Sequence, residues 1–123
     1  MTLDWSQGAL AEGLACYRRA EFFVAHEHWE SVWLTLNQPE RDFMQALIQV
    51  AAACHHLQKG TAAGAASLLR RVLQRLECCP ASFGGIDVVS LRADVSEGLR
   101  LLESGKSAPA TAPRICPTEI GPT

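Results

Sequence analysis

The sequence lacks an excess of charge of either sign: 11 basic against 13 acidic residues leave a net charge of −2. Without a basic run there is no electrostatic case for nucleic acid, and none for an anionic membrane surface. No apolar run approaches the roughly 20 residues that a spanning helix needs. The opening stretch, MTLDWSQGAL, has neither the basic region nor the apolar core of a signal peptide, so none is expected. Five cysteines occur, but no CxxC, and their odd number and irregular spacing make no disulfide framework. Cys16 and Cys54 fall on apolar helix faces and read as buried thiols, and Cys78–Cys79 reads as a structural pair at a helix end. The expected setting is a reducing cytoplasm.

What is present is apolar periodicity. Residues of hydrophobic type make up 48% of 123, enough for one domain around one core. The spacing predicts a first helix from about Trp5 to Arg19, capped by Asp4 or Ser6, with Leu10, Leu14 and Tyr17 on one stripe. Gly8 and Gly13 weaken it by up to ~1 kcal/mol each relative to alanine, so tertiary packing must hold it. A second helix spans Glu21 to Leu36, EFFVAHEHWESVWLTL, and its buried arc is predicted to include Phe22, His26, Trp29, Glu30 and Trp33. Pro39 opens a third helix reaching Gln58. Apolar residues cover most of its circumference, so it reads as the central helix. Its third stripe is a polar row: Gln45, Gln49, Ala52 and His56.

Lys59-Gly60 ends that helix and Thr61 starts a fourth, running to about Cys79. Pro80 to Gly85 reads as a loop, Ile86 to Val89 as extended, and Ser90 as the cap of a fifth helix ending near Ser104. The expectation is therefore an all-α fold: a compact single-domain bundle of about five helices over residues 4–104. The Pro/Ala/Thr-rich residues 105–123 show no periodicity and read as a disordered tail.

The groups that need explaining are His26, Glu27 and Glu30 on the second helix, and Gln45, Gln49, His55 and His56 on the third. His26 and Glu30 are four apart and share a face. A buried carboxylate is costly unless it is paired. The first reading is thus a structural network of His26, Glu30, Gln49 and His56 between the two helices, flanked by Trp29 and Trp33. A second reading is a metal-dependent enzyme, possibly a hydrolase. His26, Glu30 and His56 would bind a divalent ion, with Glu27 as a further catalytic candidate. The pattern is neither HExxH nor a paired Glu-x-x-His, and a divalent metal is the one cofactor it admits. A third reading is a helical protein-interaction module with a homo-oligomeric or protein partner.

These residues also carry a resemblance. Glu21-Phe22-Phe23 with AHEHWESVW, then FMQALIQVAAACHH, then Gly60 and Gly64-Ala65, resembles the small helical domain-of-unknown-function family numbered 309. The later FGGIDV is similar to that family's glycine–aspartate loop, so the resemblance runs over about residues 10–92. It implies a compact all-α fold and a shared polar cluster, and no established activity.

Overall fold

The computed structural model describes residues 3–105 and 112–118. Five helices are joined in sequence order: α1 (Gly8–Arg18), α2 (Phe22–Trp33), α3 (Glu40–Gln58), α4 (Ala62–Leu76) and α5 (Val88–Glu103). Each packs against its neighbour in the chain. A two-strand antiparallel hairpin, β1 (Ser82–Phe83) and β2 (Ile86–Asp87), sits between α4 and α5. The all-α expectation stands, and the hairpin is its only sheet among the described residues. None of the described helices is long and apolar enough to cross a membrane.

The apolar stripes meet in one core. Trp29, Met44, Leu47, Val50, Val72, Leu76, Leu91 and Val95 are completely buried. α3 buries residues around most of its circumference, as its composition requires. Gly13 of α1 faces Trp29 of α2. A Cβ on Gly13 would fall 2.6 Å from Trp29 Cδ1, so the indole occupies the space a side chain would fill. The Trp29 indole N–H points at the Leu10 carbonyl, 3.4 Å away.

Several helix ends differ from the sequence reading. α1 begins at Gly8 rather than Trp5. Asp4 spends its carboxylate on Ser6 and Gln7 instead of on a helix end. Trp5 is buried, and its indole N–H donates to the Gly84 carbonyl at 2.7 Å. α4 stops at Leu76, short of Cys79, where the Arg92 guanidinium from α5 takes the Leu76 and Cys79 carbonyls. The extended reading of Ile86–Val89 holds only for Ile86–Asp87. Asp87, not Ser90, caps α5: its carboxylate accepts from the Ser90 N–H at 3.2 Å and the Ser90 hydroxyl at 2.7 Å. Gly84 and Gly85 turn the hairpin with φ of 57° and 79°, the pairing a two-residue loop of this hand demands.

The larger departure is in the tail. Residues 106–111 and 119–123 lie outside the described residues, but residues 112–118 are ordered against the bundle, where no structure was expected. Ile115 is 3% exposed. Pro117 bridges Ile86, the Asp87 N–H donates to the Cys116 carbonyl at 2.9 Å, and the Thr118 N–H donates to the Gly85 carbonyl at 2.8 Å. A lone aliphatic residue among prolines thus finds a slot that composition does not reveal.

Candidate functional site

The polar residues of α2 and α3 do not converge as a sealed set. His26 and Glu30 do meet, Nε2 to Oε2 at 3.6 Å, but at the edge of the core: Glu30 is exposed, while His26 is half-buried with its Nδ1 turned inward and unpartnered among the described residues. Glu27 is exposed. His55 and His56, adjacent in sequence, point to different neighbours. The His55 ring lies 5.5 Å from Phe23 of α2. The His56 imidazole lies against α4, where a Cβ on Gly64 would fall 2.9 Å from Nδ1.

Among the described residues, Gln49 is the buried polar one in the core, at 6% exposure. Its partner is not Glu30 or His56 but Arg75 of α4, whose Nε–H donates to Oε1 at 3.1 Å. Arg75 also pairs with Asp42 of α3. The expected network is therefore corrected. A polar network does join two helices, but they are α3 and α4. A helix apolar on most sides leaves its polar row facing whichever neighbour packs there, and here that neighbour carries an arginine. Gln45 is half-buried, Trp29 is completely buried, and Trp33 is half-buried beneath the Arg41 guanidinium, 3.8 Å from the ring centroid. Among the described residues no three His, Cys, Asp or Glu side chains are grouped to hold a metal ion. Of the proposed triad only His26 and Glu30 are brought together.

A different feature has the form of a site. A cleft of about 920 Å³ opens where the C-terminal ends of α1 and α3 meet α4, α5 and residues 112–116. Phe22, Ala53, Leu57, Leu69 and Ile115 give it an apolar lining. Tyr17 is on its wall, and its hydroxyl donates to the Pro113 carbonyl at 2.6 Å and sits 3.9 Å from Cys54 Sγ. Burial, then the Cys54 sulfur, push the Tyr17 hydroxyl well above the ordinary tyrosine range. Burial likewise pushes the Cys54 thiol up to about 11, so it is an inert neutral thiol rather than a nucleophile.

On the rim, Arg114 forks onto Asp94 of α5, Nε to Oδ2 at 2.9 Å and Nη2 to Oδ1 at 3.2 Å. The hydrogen bonds from that guanidinium hold the Asp94 carboxyl below the usual carboxylate range. The sequence reading placed Tyr17 and Cys54 on packing stripes, and gave Asp94 and Arg114 no role. The available signal was Ile115 and Cys116, an apolar pair between two prolines.

The fold is a small helical bundle with an apolar-lined cleft and a His26–Glu30 pair on α2. Residues 10–68, from α1 into α4, match the family model for Domain of unknown function (DUF309). FGGIDV lies beyond the matched residues. The chain is also similar to an uncharacterized protein of Aquifex aeolicus (strain VF5), 31% identical over 97 residues, which is 78% of this chain. The match covers 29% of that relative, so the chain spans under a third of its length.

Proposed function

We propose that this chain works by binding: it is a helical interaction module whose cleft receives an apolar ligand or an apolar side chain of a partner. The carrying observation is the cleft of about 920 Å³, within the size range of small-molecule sites and lined mainly by aliphatic and aromatic side chains. The polar groups that an enzyme would need are dispersed instead, over α2 and the α3–α4 seam. Five free cysteines fit a reducing, cytoplasmic setting for such a module.

The test uses a neutral fluorescent probe, N-phenyl-1-naphthylamine, titrated into the full chain. Saturable one-to-one enhancement is the expected result. Leu57→Glu, which puts a carboxylate on the cleft lining, should weaken it at least tenfold while circular dichroism stays unchanged. No enhancement, or enhancement indifferent to a folded Leu57→Glu variant, overturns the reading.

A further inference from the structure

Residues 112–118 are bonded to the bundle in the manner of a bound peptide. Four kinds of contact hold them, and each has a receiving group elsewhere in the fold. The backbone adds to the hairpin as a third extended segment, through the Cys116 carbonyl, the Thr118 N–H and the Ile86–Pro117 bridge. A basic side chain is clamped: Asp94 takes both the Arg114 guanidinium and the Arg114 backbone N–H, the latter at 2.9 Å. One aliphatic anchor, Ile115, is buried. The Tyr17 hydroxyl completes the set by donating to the Pro113 carbonyl.

Main-chain pairing gives such contacts their hold, and the side-chain slots give them selectivity. The receiving groups come from α1, the β1–β2 hairpin and α5. Of the segment's own side chains, Pro113 and Ile115 are buried and Arg114 is exposed.

We infer that this groove is a peptide-recognition site, occupied here in cis, and that it accepts an extended segment of a partner chain with an arginine followed by an aliphatic residue. A partner segment must displace the resident one, which tethering keeps at an effective concentration on the order of millimolar. Weakening the resident segment should therefore strengthen binding in trans. The inference stands whether or not the adjoining cleft takes a small apolar ligand.

The experiment is fluorescence anisotropy with a fluorescein-labelled peptide of residues 111–119, carrying Cys116→Ser, titrated with full-length chains. Wild type should bind it weakly. Ile115→Asp in the full chain removes the resident anchor and should tighten binding at least tenfold. Adding Asp94→Asn should reverse most of the gain, and a peptide carrying the Ile115→Asp change should not bind. Arg114→Ala, on an exposed side chain, gives the same comparison without touching the core. If neither folded variant binds the peptide better than wild type, residues 112–118 are a fixed wall and the inference fails.

Discussion

Trp29 is held by what is missing opposite it. The spacing of α1 marks Gly13 as a weakness, because glycine costs up to ~1 kcal/mol against alanine in a helix. In the folded chain the same position leaves the room the indole fills. Gly13→Ala should therefore destabilise the protein by ~1–3 kcal/mol, the usual cost of forcing an extra carbon into a packed core, although propensity alone predicts the reverse. Urea unfolding of the two chains decides between them. Tyr17 offers a second check, since it is the sole tyrosine in the sequence. Its folded-state pKa is raised, so above about pH 10 the unfolded chain releases the proton first. Stability must then fall as pH rises through that value. Tyrosinate absorbance near 295 nm should grow together with the loss of helix by circular dichroism. Ionisation complete before any unfolding would show that the hydroxyl is open to solvent. Neither effect can be read from periodicity, which places Gly13 and Tyr17 on a face but not against a particular neighbour.

At the scale of helices, periodicity located all five and predicted the burial of α3, since an apolar stripe must be covered wherever it lies. It failed where two elements compete for one face. Gln49 was assigned to α2, and α4 holds it. The consequence is measurable. The Arg75–Asp42 pair is partly solvated, with side chains 34% and 44% exposed, so its own worth is small. The cost of Arg75→Ala lies in leaving the buried Gln49 carbonyl without a donor, ~1–3 kcal/mol. Gln49→Leu removes that need along with the group and should cost less. Chevron midpoints for the two variants should fall in that order; equal or inverted costs would mean that the amide is satisfied by water. The His26–Glu30 pairing was legible, because residues four apart on a helix must be neighbours. Its exposure was not, since a wide apolar arc does not say where its edge falls.

Across the whole molecule, the docking of residues 112–118 ties the C-terminal segment to α1, the hairpin and α5. Composition hid this: prolines with alanine, serine and threonine lack any period, yet an extended segment needs none to add to a strand. Asp94 makes the attachment dependent on pH. Its folded-state pKa is lowered by Arg114, so the unfolded chain takes up the proton first as pH falls. The stability it adds is present above the ordinary aspartate pKa near 3.9, and is lost as pH drops through the lower folded value. The melting-temperature gap between wild type and Asp94→Asn should be open at pH 6 and narrow steadily below about pH 4. A gap unchanged by acid would show that the charge of Asp94 adds nothing.

The same attachment has a kinetic meaning. The helices contact their neighbours in sequence, and such local contacts form fast. The Tyr17–Pro113 bond instead joins positions 96 apart, and the Trp5–Gly84 bond positions 79 apart. Closing those loops is rewarded only once the bundle that receives them exists, so both belong to the native side of the folding barrier. Truncating Ile115 to alanine should leave the refolding arm of a chevron in place and lift the unfolding arm. The segment acts as a latch on the finished fold, setting how long a folded molecule lasts and not how quickly it is made.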